Sequence, residues 1–212
     1  MMNNRTKLMG VMLMVAGLMT MGGCNIIGWM AAPYGSDESV IEVKAEYTKL
    51  EGKKIAVLVA ASDEILYKYN EAILRTSRAI TARMAENMPS IRVMDPTTVL
   101  AYQRNNPFWS TSGYENLIDA LNVDAVVVVD LSEYRTHEPG NKYQWKGIVA
   151  GHVTVAEGNE AVFAQTVRAE FPEDSKVGVL DSSDEKIQLG MLSIFSRDAA
   201  GLFYDHEIVR KK

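Results

Sequence analysis

Cysteine, histidine and proline are scarce in this chain of 212 residues, which holds one cysteine, three histidines and six prolines. A single thiol cannot form a disulfide within the chain, so the fold must depend on its hydrophobic core. The three histidines, His137, His152 and His206, do not pair at the spacing of a helical or hairpin metal motif, and no metal site is predicted. Basic residues are also in the minority, since 22 Lys and Arg face 27 Asp and Glu and the formal charge is −5. This excess of acid argues against nucleic-acid binding.

The short motifs of several enzyme classes are missing as well. The chain has no Gly-x-Ser-x-Gly nucleophile elbow. It has neither the Gly-x-x-x-x-Gly-Lys run that cradles phosphates nor the Gly-x-Gly-x-x-Gly fingerprint of dinucleotide binding. We therefore expect no catalytic residue and no cofactor, and a protein that is not an enzyme.

Long apolar runs without acidic residues are confined to the amino terminus. Arg5 and Lys7 precede residues 8–21, in which only Thr20 is conventionally polar, and two glycines follow before Cys24. A basic start, an apolar centre and small residues at the end are the three parts of a secretory signal peptide. The apolar centre is shorter than the roughly 20 residues of a membrane-spanning helix, which favours cleavage over a retained anchor.

The only cysteine lies where one particular kind of signal peptide would use it. Met21-Gly22-Gly23-Cys24 resembles the lipobox of bacterial lipoproteins, in which cleavage precedes the cysteine and lipid is attached to its thiol. The resemblance implies a signal peptide over 1–23, a lipidated amino terminus and tether over 24–51, and attachment to the cell membrane or outer membrane, facing the periplasm. Asn25 in place of an aspartate favours the outer membrane.

The sequence pattern of residues 52–212 predicts a single α/β domain. Its first half predicts a buried strand over 53–60, a helix capped by Ser62 that runs to Pro89, and a short strand over 91–94. Asp95-Pro96 starts a second helix, and Ser112 with Glu115 has the spacing of a capping box for a third.

The second half of the domain has a different pattern. Residues 123–131 are the most hydrophobic stretch after Cys24 and predict the central strand. Two alternating runs joined at 157–160 predict an antiparallel hairpin, and a last helix starts at Ser183 or Asp184. We expect a mixed sheet of about five strands with helices packed on it, a three-stranded antiparallel carboxyl-terminal half and a closing carboxyl-terminal helix. Residues 40–47 are an additional strand candidate.

One local feature suggests a binding surface. Phe108 and Trp109, with Tyr114 nearby, are aromatic residues in a loop flanked by polar residues. Aromatic anchors of this kind are enriched in protein interfaces, so all three are candidates for partner contact. The alternative is that Phe108 and Trp109 fold back over the edge of the sheet as core.

Two short motifs resemble a known group of envelope proteins. Lys54-Ile55-Ala56-Val57-Leu58 opens the sheet, and Leu121-Asn122-Val123-Asp124-Ala125-Val126-Val127 enters the central strand. This arrangement is similar to the group that includes the curli-secretion lipoprotein CsgG, the penicillin-binding-protein activator LpoB and the amino-terminal domain of TolB. Asn122 stands where Gly is more usual, and Asn also tolerates the left-handed conformation of a helix end.

The resemblance implies a periplasm-facing domain that binds other envelope proteins and has no catalytic site. We therefore expect a membrane-anchored, non-enzymatic lipoprotein that acts as an accessory or assembly component through protein–protein binding. The alternatives are a module that binds a small envelope ligand, and a hydrolase whose site has no recognisable motif. The oligomeric state and the identity of the partner stay open.

Overall fold

A computed structural model describes residues 38–172, 178, 180 and 182–211. The predicted signal peptide and Cys24 lie outside these residues. Within the described part of the chain, no helix is both long enough and apolar enough to cross a membrane.

The chain divides into two units. The larger, Glu42–Ile208, contains a five-stranded sheet and its helices. Of the smaller unit, the described residues are 38–41 and 209–211. A separate two-stranded sheet pairs β1 (Glu38–Val43) with β7 (His206–Lys211). Strand β7 follows the last helix and is not predicted by the sequence pattern.

The strands of the five-stranded sheet are β2 (Lys54–Ala61), β3 (Arg92–Val93), β4 (Ala125–His137), β5 (Trp145–Glu157) and β6 (Glu160–Phe171). Their order in the sheet is β3-β2-β4-β5-β6. Strand β2 pairs in parallel with both β3 and β4, whereas β4, β5 and β6 are antiparallel. The mixed sheet and its three-stranded antiparallel half are therefore confirmed, and the predicted central strand lies in the middle.

Helices cover both faces of this sheet. They are α1 (Asp63–Lys68), α2 (Ala72–Asn87), α3 (Pro96–Asn105), a 3-10 turn (Trp109–Thr111), α4 (Tyr114–Leu121) and α5 (Asp184–Gly201). On one face α2 and α5 bury Ile80, Met84 and Phe195 against the odd-numbered valines of the strands. On the other face α3, the 3-10 turn and α4 bury Val99, Trp109 and a few aliphatic neighbours.

Several helix ends are those that the sequence predicts. Ser62 accepts from the Ile65 amide, Asp95 accepts from two amides of the first turn of α3, and Ser183 caps α5. Asn122 ends α4 in the left-handed conformation (φ 48°), where it stands in for the usual glycine. These caps are local, which explains why the sequence alone identifies them.

Two helix predictions are wrong in detail. The predicted helix from Ser62 to Pro89 is broken, because Tyr69 leaves helical geometry (φ −133°), accepts a hydrogen bond from the Thr136 amide and packs its ring on Tyr134. The predicted capping box fails too. Gly113 (φ 79°) is the residue before α4, and the Ser112 hydroxyl donates to the Phe108 carbonyl instead.

The additional strand predicted over residues 40–47 is displaced. The strand spans Glu38–Val43 and belongs to the two-stranded sheet. Tyr47 and Leu50, within the segment predicted as tether, are buried in the core of the larger unit. Tyr47 packs on Phe163 and Phe203, so this part of the segment contributes to the fold.

Candidate functional site

The three candidate contact residues, which lie in or next to the loop between α3 and α4, differ in how deeply they are buried. Trp109 is only 9% exposed and packs in the core cluster beneath α3 and α4, and Tyr114 is half-buried against the same cluster. Phe108 is 80% exposed. Phe108 is therefore the residue of the three that offers a free ring to a partner.

The backbone beneath this ring is held firmly. The Phe108 carbonyl accepts from the Thr111 amide (3.1 Å), the Thr111 hydroxyl (2.9 Å) and the Ser112 hydroxyl (3.1 Å). The Trp109 amide donates to the Asn106 carbonyl at 2.9 Å, and its side chain fixes the loop to the core. An aromatic side chain on a fixed backbone loses little entropy when it binds, which suits an interface anchor.

A cavity of about 460 Å³ opens beside the loop, and we call it the Gln103 cavity. It lies between the α1–α2 connection, α3 and the carboxyl end of β2. Its volume is in the range of roughly 300–1,000 Å³ that small-ligand pockets occupy. Its lining residues are Val59, Ala60, Ala61, Leu66, Asn70, Ile73, Leu74, Leu100, Gln103, Arg104, Pro107, Trp109 and Ser110.

Gln103 is the most unusual residue of this lining. Its Nε2 donates to the Val59 carbonyl at 3.0 Å, and because that carbonyl can only accept, the orientation of the amide is fixed. Its Oε1 is buried and has no hydrogen-bond partner among the described residues. A buried acceptor without a donor destabilises a fold by about 1–3 kcal/mol, so such atoms call for an explanation.

The position of Gln103 follows from the short edge strand. Strand β3 pairs with β2 only at Lys54 and Ile55. Farther along β2, the Gln103 amide takes the place of a strand and binds the Val59 carbonyl. Sequence reasoning missed this residue, because nothing local distinguishes a glutamine on a buried helix face from one on an exposed face.

Arg104 follows Gln103 in the last turn of α3 and is exposed. No ion pair involves its guanidinium in the part of the chain that the structure describes, although many other charges are paired. A cation at a helix carboxyl end is favourable by itself. Arg104 thus supplies the cavity with an unpaired positive charge.

A second cleft, of about 740 Å³, lies where β2 and β4 end. Parallel strands place ligand sites at this edge in open α/β sheets. Beneath the cleft, Thr136 is 1% exposed, and its hydroxyl donates to Asp184 Oδ1 at 2.6 Å. With its only proton committed there, Thr136 Oγ1 accepts from the Tyr69 hydroxyl and from His137 Nδ1, each at 3.2 Å.

These contacts decide what the Thr136 cluster can do chemically. Because Thr136 donates its proton to Asp184, a hydrogen bond between Thr136 Oγ1 and His137 requires a proton on Nδ1 of the imidazole. Thr136 itself is too buried to meet a ligand, and its hydroxyl joins β4 to Tyr69 at the end of α1 and to Asp184 at the start of α5. The cluster is therefore a structural joint with one half-buried imidazole at the border of the cleft.

The sheet face opposite α5 carries paired charges over β4, β5 and β6. Glu133 accepts hydrogen bonds from Arg135 (2.6 Å) and Arg168, and Lys146 forms an ion pair with Glu138 at 2.9 Å. Burial raises the pKa of Glu133, but the bonds from the two arginines outweigh it and hold that pKa below its usual value. His152 is exposed on the same face of the hairpin, and the paired charges around it suit contact with solvent.

The histidines do not assemble a site. His152 lies opposite Asp130 on the neighbouring strand, and its Nδ1 contacts the Thr166 hydroxyl at 3.2 Å on an exposed surface. His137 stacks on Trp145, and His206 binds the Tyr204 carbonyl. Among the described residues, no three His, Cys, Asp or Glu side chains are grouped so that they could hold a metal ion.

No family model and no curated protein matches this chain. Solved structures do match. The PelC dodecamer from Paraburkholderia phytofirmans is 9% identical over 78% of this chain and 98% of its own, with a TM-score of 0.46. Lipoprotein GNA1162 from Neisseria meningitidis is 13% identical over 69% and 97%, with a TM-score of 0.44. Protein XCC0632 from Xanthomonas campestris is 9% identical over 75% and 90%, with a TM-score of 0.46. Bacterial lipoproteins are thus among the structural neighbours, and likenesses this distant carry no argument about activity.

Proposed function

We propose that this chain is a lipid-anchored protein of the bacterial cell envelope that holds another envelope protein and performs no catalysis. The observation that carries the proposal is Phe108, which presents an 80% exposed ring on a backbone fixed by three hydrogen bonds, beside the Gln103 cavity. Interface hot spots are large side chains and the pockets that receive them, and an exposed aromatic ring beside a recess offers both on one surface. The negative net charge also suits a protein partner better than nucleic acid.

The location rests on the amino-terminal sequence. The signal-peptide pattern and the Met21-Gly22-Gly23-Cys24 run support lipid attachment to Cys24, with the outer membrane favoured by Asn25. The resemblance to the CsgG, LpoB and TolB amino-terminal group supports the same periplasm-facing role. Mass spectrometry of the mature amino terminus tests this part directly. A diacylated or triacylated Cys24 is expected, and an unmodified Cys24 or cleavage elsewhere would remove the anchor from the proposal.

The partner is best sought with a photoreactive amino acid placed at single positions in living cells of the host. Position 108 samples the exposed ring of Phe108. Position 143 is the matched control, because Tyr143 is also aromatic and 83% exposed but lies on the β4–β5 connection. We expect one envelope protein to cross-link at 108 and not at 143. The same products at both positions, or none at 108, would contradict binding through this loop.

A small-ligand module is the second candidate, and the 740 Å³ cleft is the observation that favours it. Tyr69, Arg135 and His137 contribute polar groups to its lining. Native mass spectrometry of the protein purified from its host would show a bound compound as an added mass. An added mass that persists in the Phe108→Ala variant would favour the ligand module over the interface.

A further inference from the structure

We propose that the Gln103 cavity receives an extended peptide segment of the partner, in which an apolar side chain fills the cavity and a neighbouring carboxylate pairs with Arg104. The inference rests on the proposed function, since it assigns the chemistry of the segment that meets the Phe108 loop. Three independent features of the cavity lead to it.

The first feature is the apolar part of a lining that also contains polar side chains. Leu66, Ile73, Leu100 and Trp109 line a recess of about 460 Å³. A recess of this size accommodates a large aliphatic or aromatic side chain with part of its backbone. The residues on either side of the exposed Phe108, Pro107 and Trp109, both belong to this lining. A segment that packs on Phe108 therefore reaches the cavity without a gap.

The second feature is the edge of β2 beyond its short neighbour. Strand β3 pairs with β2 only at Lys54 and Ile55, and the carboxyl end of β2 lines the cavity. Gln103 Nε2 donates to the Val59 carbonyl and holds this edge to α3, whereas Gln103 Oε1 is shielded from solvent and is not presented to a ligand. An extended segment in the cavity therefore lies beside a strand edge that β3 leaves uncovered, which is the arrangement of β-strand addition.

The third feature is charge. Arg104 is the charged residue of the lining, it is exposed, and no ion pair involves it among the described residues. A carboxylate is its natural partner, because the guanidinium fork binds both oxygens of a carboxylate at once. The segment that fits is therefore apolar at one position and acidic at a nearby one.

The probe for this inference is a random peptide library displayed on phage, selected on the purified full-length protein. The selected sequences are expected to share a large apolar residue with Asp or Glu within a few positions. Their binding is measured as a shift in tryptophan fluorescence, which is read against a Trp109→Phe variant to assign the signal to the cavity. A selection that yields no binder, or only binders without an acidic residue, overturns the inference.

Paired variants separate charge recognition from general electrostatics. Arg104→Glu is expected to weaken the selected peptides by about tenfold or more, because a like charge then faces the carboxylate. Arg92→Glu makes the same charge change at another exposed arginine, on β3, and is expected to leave binding unchanged. Equal binding by the wild type and Arg104→Glu, or equal weakening in both variants, refutes the assignment of Arg104.

The peptide result and the cross-linking result can fail independently. A partner that cross-links at position 108 while the cavity selects no acidic apolar peptide refutes the cavity inference alone. Loss of both results refutes the proposed function as well. A cross-link from position 108 to a second copy of this chain would show that the surface joins protomers, and would overturn the inference.

Discussion

Alanine substitutions at Phe108 and Trp109 should have very different effects on stability, although the two residues are neighbours. Trp109 is 9% exposed and packs against Val99, Leu117 and other members of its core cluster. Replacement of a buried tryptophan by alanine typically costs about 3–5 kcal/mol, and we expect the lower value because one side of Trp109 already borders a cavity. Phe108 is 80% exposed, so its replacement should change the free energy of unfolding by less than about 0.5 kcal/mol.

Thermal and urea denaturation measure this difference. For a folded unit the size of Glu42–Ile208, a loss of about 3 kcal/mol lowers Tm by roughly 6–12 °C. We expect Trp109→Ala to shift Tm by this amount and Phe108→Ala to leave it nearly unchanged, while capture of the envelope partner by affinity purification is lost in the Phe108 variant. Equal losses of stability in the two variants would show that both rings are core, and would refute Phe108 as an interface anchor.

Three further substitutions test other contacts of the fold. Gly190→Ala should lower stability by about 1 kcal/mol in spite of the better helix propensity of alanine, since its Cβ would overlap the ring of Phe171. Thr136→Val should cost about 1–3 kcal/mol, because it removes the buried hydroxyl that joins α1, β4 and α5. Glu133→Gln should lower Tm at pH 7, and the difference should disappear as the pH falls below 4.5. The bonds from Arg135 and Arg168 that lower the pKa of Glu133 stabilise the fold only while this carboxyl is ionised.

Each of these substitutions has an outcome that would contradict its reasoning. If Gly190→Ala stabilises the wild-type protein, the contact with Phe171 is not restrictive. In a Phe171→Ala background the same change is expected to stabilise. Thr166→Val, at an exposed hydroxyl, is the control for Thr136→Val. Equal losses of stability in the two variants would show that the buried Thr136 hydroxyl does not join its neighbouring elements. If the Tm difference for Glu133→Gln stays constant down to pH 2, ionisation of Glu133 does not contribute to stability.

Helix ends and strand patterns were predictable because the interactions that set them are local. Ser62, Asp95 and Ser183 each bond to amides two or three residues ahead, so a window of a few residues contains the whole interaction. The buried strand β4 and the hairpin turn at 157–160 likewise follow from the order of apolar and polar residues along the chain. One failure occurred where a distant residue intervened, since Tyr69 bonded to Thr136 and broke the predicted helix. The failed capping box had a local cause, because the Ser112 hydroxyl bonds to the Phe108 carbonyl four residues earlier.

The candidate site was only partly predictable for the same reason. The sequence marked Phe108, Trp109 and Tyr114 as one aromatic group, but burial separates them, since burial depends on where α3 and α4 meet the sheet. Gln103 and Arg104 carry no local signal. They became candidates only when the shortness of β3 and the packing of α3 placed them beside β2 and the cavity.

The sequence by itself determined the signal-peptide pattern, the lipobox-like run at Cys24, the negative charge and the order of most helices and strands, because each depends on neighbouring residues or on composition. The tertiary structure alone decided which aromatic ring is exposed, where the Gln103 acceptor is left without a donor, and which charges are paired. Those properties depend on residues far apart in the chain, and only the packed fold brings such residues together.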